Sequence, residues 1–224
     1  MPSMTQPASL AHLAAAARET YVSFFASMVE ATVEPGVEGI PEVCVVLEYP
    51  GCLGDLYRID LVLRLPDDRA VSLDFAMEVP HGQDLPAFAE QVGALTLHVF
   101  RLRWDDVVLH HDLPDLPAHA LEGWFERWSN VDEPEGEDQP FPSDRLHSAS
   151  VAPGAVSVDF GTAPSAALVE LVSLLEAAGA KAVQIDASRD DAEPDPDDET
   201  VEDVELDEDE SVLDIVRRRG PLLN

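Results

Sequence analysis

Positive charge is what this chain lacks most. It carries a single lysine, Lys181, and 13 Lys plus Arg stand against 45 Asp plus Glu, a formal net charge of −32. A phosphate backbone is gripped by clustered Lys and Arg. The one basic run here is Arg217-Arg218-Arg219, so direct binding of nucleic acid or of an anionic membrane is disfavoured. The deficit is spread along the chain: about −13 falls in residues 1–130, about −8 in 131–188 and about −11 in 189–224. Opposite fields steer association, so a basic protein is the favoured partner.

Cysteine is scarce as well. Cys44 and Cys52 are too few for a disulfide framework and are expected as reduced thiols on either side of the turn "EYPGCLG". Long apolar runs are missing: no stretch reaches the roughly 18 consecutive apolar residues of a membrane span. The N-terminus shows no basic segment followed by an apolar one, as a secretory signal would. A cytoplasmic protein is expected. The shortage of lysine beside abundant Ala, Val and Arg points to a GC-rich bacterial gene.

What is present is enough for a core. The chain has 224 residues, 46% of them hydrophobic, which suits one large domain or a medium and a small one. "SLAHLAAAARETYVSFFASMVEATV" starts on Ser9, a good N-cap, and repeats Leu10, Leu13, Ala17, Tyr21, Phe24, Phe25 and Met28 at helical spacing. Pro35-Gly36 ends it. "EVCVVLEY" reads as a strand, and "LYRIDLVLRL" with "AVSLDFAMEV" as a hairpin across "PDDR". "LPAFAEQVGAL" is expected to be a short helix. "TLHVFRLRW" and "DVVLHHDL" read as strands meeting at the Asp105-Asp106 turn. "LPAHALEGWFERW" closes a main domain over about residues 8–130 as a helix. The expected class is α+β, a mixed sheet in the order α-β-β-β-α-β-β-α. Residues 131–146, around "NVDEPEGEDQPFPSD", read as an acidic, Pro-rich linker. Residues 147–188 give a β-α-β piece that is either a subdomain or an extension of the first sheet. Its helix has Pro164 in the first turn and Gly179 at the end. Residues 189–224 are expected as an acidic, disordered tail with a short terminal helix in "SVLDIVRRRG".

Carboxylates inside the hairpin strands pose the functional question. Side chains alternate across a strand, so Asp74, Ala76 and Glu78 share a face, and Asp60 falls near Asp74 across the ladder. Two carboxylates so placed suit Mg²⁺ with water completing the octahedron; acids on a solvated sheet face are the plainer reading. The stretch "YRIDLVLRL…AVSLDFAMEV", a following helix and "LHVFRLRWDDV" resemble the core of the PD-(D/E)xK nucleases, in particular the very-short-patch-repair-like branch, over about residues 10–110. That resemblance implies Asp60 and Asp74 as metal ligands and Mg²⁺ as cofactor. It also places Ala76 where those nucleases carry the lysine that activates the attacking water. Arg58 and Arg64 are poor replacements, since a guanidinium stays protonated. The expectation therefore leans away from an enzyme and from any cofactor. The element order is also similar to that of class I type III secretion chaperones, small acidic dimers that hold effector segments; here only the order is shared.

Other groups carry weaker signals. His110-His111-Asp112 is the densest histidine cluster, but adjacent strand residues face opposite ways. His98 and His110 are expected to face each other across a hairpin. "GTAPSAA" lacks the lysine and glycine spacing of a nucleotide loop. Trp124, Phe125 and Trp128 read as core packing or, because aromatic residues dominate interface hot spots, as binding anchors. The functional expectation is a non-catalytic, acidic partner-binding protein: an inhibitor or immunity protein that masks a basic protein such as a nuclease toxin. Its contact residues would be Asp74, Glu78, Asp105, Asp106, Trp124 and Trp128, and a homodimer is compatible with it. The alternatives are a divergent Mg²⁺-dependent nuclease and a secretion-type chaperone.

Overall fold

A computed structural model describes residues 9–46, 53, 56–65, 69–75, 88–129 and 141–187. The expected tail, the turn around Cys52, and Ala76 and Glu78 lie outside them. The fold is α+β, built on two sheets. The first is antiparallel, in the order β1 (Glu38–Val46), β2 (Leu56–Arg64), β3 (Ala70–Leu73). The second has six strands: β4 (Phe88–Val92), β5 (Leu95–Val99), β6 (Val107–His111), β7 (Ser148–Ala152), β8 (Ala155–Asp159) and β9 (Ala182–Asp186). Their spatial order is β4-β5-β9-β6-β8-β7. Among the described residues three α-helices accompany the sheets: α1 (Leu10–Thr32), α2 (Glu122–Ser129) and α3 (Ala166–Ala177). Among the described residues no helix is long and apolar enough to cross a membrane.

Local chemistry accounts for the elements that the sequence announces. Ser9 caps α1, its Oγ accepting the His12 amide at 3.3 Å. The helix buries Leu10, Ala14, Tyr21 and Phe25. Helix α3 is terminated by Gly179 at φ +102°. The Ala180 amide returns to the Leu175 carbonyl and the Gly179 amide to Glu176, the paired bonds of a Schellman stop. Its Leu168, Leu171, Val172 and Leu175 are buried in one core with Leu95, Leu97, Leu109, Val156 and Ile185 from the six-stranded sheet. Trp104 stacks on Phe160 with ring centroids 4.6 Å apart.

Three expectations are corrected. "LPAFAEQVGAL" holds a strand, β4, in place of a helix. Phe88, Glu90 and Val92 alternate inward with exposed Ala89 and Gln91, and Gly93 at φ +55° makes the two-residue turn into β5. Strands β5 and β6 do not pair through Asp105-Asp106. Strand β9 lies between them, parallel to β5 and antiparallel to β6, so Gln184 separates His98 from His110. The linker ends earlier than expected: Arg145 and Leu146 are buried, and Phe141 packs edge-on against Phe25 at 5.3 Å. The segment 147–187 is a continuation of the sheet, and β7, absent from the expected β-α-β, is an additional edge strand paired with β8.

Helix α1 is tied to the turn after β8 by Arg18, which donates to the Thr162 and Ala163 carbonyls and to Asp144 Oδ1 at 2.5 Å. Arg18→Ala is expected to lower stability by about 1–2 kcal/mol, below the full value of charged hydrogen bonds because the side chain is 26% exposed. A urea midpoint unchanged within error would contradict this role.

Candidate functional site

The acids of the small sheet lie along one rung. Pro41 and Val43 of β1 pair with Leu61 and Ile59 of β2, which puts Glu42 level with Asp60. Leu61 pairs with Leu73 of β3, so Asp74 follows at the same level on the other side. Like charges side by side on a sheet repel. The six-stranded sheet answers with His147, which precedes β7 and is 1% exposed at its side chain.

Glu42 is the hub. It is buried, and it adopts φ 55°, a left-handed conformation that costs a non-glycine residue about 1 kcal/mol or more. Its Oε1 is 2.9 Å from His147 Nε2 and accepts the Thr162 hydroxyl at 2.6 Å; its Oε2 accepts the Ser143 amide at 2.9 Å. Its carbonyl accepts Arg58 at 2.6 Å, and the same guanidinium donates to the Ser129 carbonyl at 3.1 Å. The other ring nitrogen, Nδ1, stands 3.7 Å from Asp60 Oδ1 and 3.6 Å from Asp159 Oδ2. These are ion-pair distances, longer than hydrogen bonds. Asp60 Oδ2 accepts the Phe75 amide at 2.7 Å. Gly161 packs flat on the imidazole: a β-carbon there would fall 2.1 Å from His147 Cδ2.

Proton affinities follow from these neighbours. Burial pushes the Glu42 carboxyl up, but the hydrogen bond and charge of His147, with Thr162 and Ser143, outweigh it and bring it down to about 2. Burial lowers His147, yet Asp159 and Glu42 overcome this and raise it to about 10. Asp60 is raised to about 7, first by burial and then by Asp159 and Asp74; His147 and the Phe75 amide oppose the rise. Tyr21 of α1, with its ring 6.5 Å from that of His147, is raised well above its ordinary range by burial and by Asp159, Asp60, Asp105 and Glu42. The cluster thus keeps one imidazolium among carboxylates and exchanges a proton at Asp60, which is 14% exposed, near neutral pH.

The residues expected from sequence fare differently. Asp60 belongs to the cluster, and Asp74 is exposed beside it. Among the described residues no group of three or more His, Cys, Asp or Glu side chains is arranged to hold a metal ion. Asp105 turns inward, 7% exposed and 3.6 Å from Arg103, and Asp106 is half-buried, its amide closing a turn on Arg103. Trp124 is 2% exposed and donates to the Ala167 carbonyl at 3.0 Å, so it is a core residue and offers no contact surface. Trp128 is half-buried and donates to Glu170 Oε2 at 2.8 Å. Glu42, His147, Asp159 and Thr162 escaped notice because the partners of Glu42 are more than a hundred residues away. The one available signal was an acid enclosed by "GIPEVCVVL".

Comparisons with models of protein families, with curated proteins and with solved structures found no match for this chain.

Proposed function

We propose that this is a non-catalytic, acidic protein that binds a basic protein partner, in the manner of an inhibitor or immunity protein. The observation that carries the reading is where its positive charges go. Arg18 pairs with Asp144, Arg64 with Glu38, Arg101 with Asp186, Arg103 with Asp105 and Arg127 with Glu170. Arg58 and Arg145 are buried. These arginines lie in ion pairs or inside the body, and exposed Lys181 stands against exposed Glu19, Glu30, Glu34, Asp115, Glu122 and Glu126. Further acids lie in the segments outside the described residues. Such a field repels polyanions and accelerates encounter with a cationic surface.

The test is affinity for a purified basic protein encoded next to this chain's gene, measured over ionic strength. Binding is expected to weaken about tenfold or more from low to high salt. Reversing two exposed charges on α2, Glu122→Lys with Glu126→Lys, is expected to slow association while leaving the fold intact. Salt-independent binding would end the reading. Mg²⁺-dependent cleavage of DNA that disappears in Asp60→Asn would replace it with the nuclease alternative.

A further inference from the structure

The two sheets share no hydrogen-bonded strand pair among the described residues. Their polar junction runs through a few side chains. From the small sheet come Glu42, Arg58 and Asp60; from the six-stranded body come Ser143, His147, Asp159, Thr162 and the Ser129 carbonyl. The apolar part of the same junction includes Phe75, edge-on to Phe25 of α1 at 5.5 Å.

We propose that His147 is a proton-operated clasp that holds the three-stranded sheet against the six-stranded one and lets it loosen when the ring loses its proton. The charged groups facing the ring come from every element around it: Glu42 on β1, Asp60 on β2 with Asp74 beyond it, and Asp159 at the end of β8. Tyr21 on α1 completes the wall, with Asp105 acting on it from before β6. Arg58 and Arg145 are the buried cations of this region. Arg58 directs its guanidinium at the carbonyls of Glu42 and Ser129, and the ring nitrogens of His147 meet the Glu42, Asp60 and Asp159 carboxylates. With the ring charged, Glu42 at Nε2 and Asp159 at Nδ1 attract it from both sides, and Asp60 joins them once its carboxyl ionises near pH 7. With the ring neutral, three buried or half-buried carboxylates face one another, and two of them, Glu42 and Asp60, leave with the small sheet. Phe75 on Phe25 remains, so the expected change is local opening and not global unfolding.

His147 binds its proton more tightly in the closed state than a free imidazole would. Closure is therefore strongest below the ordinary histidine value of 6.5 and is lost as pH rises toward about 10. Amide hydrogen exchange is the test, corrected for intrinsic rates and referenced to β5, β6 and β9 of the same molecule. Opening of β1 and β2 is expected to increase by up to about tenfold per pH unit across that interval. In His147→Gln the two strands should exchange faster wherever the wild-type ring is charged, and show no slope beyond the one that Asp60 contributes as it ionises. Should that variant fail to fold, the wild-type ring is followed by its own ¹³C NMR shift, and its titration must coincide with the loss of protection. The proposal is overturned if β1 and β2 keep the protection of β9 across the whole range. It is equally overturned if the slope above the Asp60 titration persists in His147→Gln, or if the ring titrates near 6.5 without any opening.

Discussion

Glu42→Gln is expected to cost about 3–5 kcal/mol of folding stability, the usual penalty for removing one partner of a buried ion pair and stranding the other. The substitution preserves volume, so packing is nearly untouched. What changes is the charge opposite His147 and the fit of a carboxamide to three donors: the ring Nε2–H, the Thr162 hydroxyl and the Ser143 amide. An amide has one acceptor oxygen and brings two donors of its own, so at least one donor in a closed site loses its acceptor. The effect carries a pH signature. The Glu42 carboxyl is lowered from its ordinary 4.5 to about 2, so its contribution is complete above about 4.5 and vanishes as pH falls toward 2. The His147 contribution is complete below 6.5 and vanishes toward 10. Asp60 acts in the opposite sense to Glu42. Its carboxyl is raised from 3.8 to about 7, so it favours the fold most at low pH and that support is withdrawn as pH rises through this interval. The gap between wild type and Glu42→Gln should therefore be widest between about pH 4.5 and 6.5 and close on both sides. Urea titrations at a series of pH values read this directly; a gap independent of pH would mean that the charge on Glu42 contributes little.

Gly161→Ala is expected to destabilise by about 2–4 kcal/mol without altering any charge. Gly161 has φ +50°, which costs a residue with a β-carbon about 1 kcal/mol. The new methyl would also strike the His147 ring, whose Cδ2 and Nε2 lie 2.1 and 2.3 Å from its position. The ring has little room to retreat. It is held at Nε2 by Glu42 and lies edge-on to Phe25, with centroids 6.1 Å apart, so overpacking adds a penalty of roughly 1–3 kcal/mol. Displacing the ring lengthens the contact to Glu42, so the Glu42 pKa should rise toward its ordinary value. Carboxyl NMR of Glu42 separates this from a simple backbone effect: a loss of stability with the Glu42 titration unmoved would assign the cost to φ alone.

The elements legible in the sequence were those whose cause is local. Ser9 and the stripe from Leu10 to Met28 announce α1, and Gly179 announces the end of α3. The β2–β3 hairpin follows from its alternation and its turn. Structure departs from local pattern where partners are distant. Phe88 to Val92 satisfies both a short helix and a strand, and only pairing with β5 decides between them. Nothing near Val99 or Val107 shows that β9, more than seventy residues later, separates their strands. The site is the extreme case. Asp60 and Asp74 drew notice as acids in strands, and their neighbourhood suggested a metal. The cation that meets Asp60 is the imidazole of His147, just ahead of β7 in the other sheet, and its contact with Glu42 spans 105 positions.

The position of β9 has a bearing on how the molecule comes into being. A ribosome delivers β4, β5, β6, β7 and β8 before the strand that separates β5 from β6. Until Ala182–Asp186 emerges, the sheet is two fragments with raw inner edges, and the hydrophobic side of α3 has only part of its floor. Such edges invite pairing with other nascent chains. Cooperative closure of the larger sheet thus waits on one of the last segments made, and slow, non-local assembly is the physical price of threading a late strand into the middle.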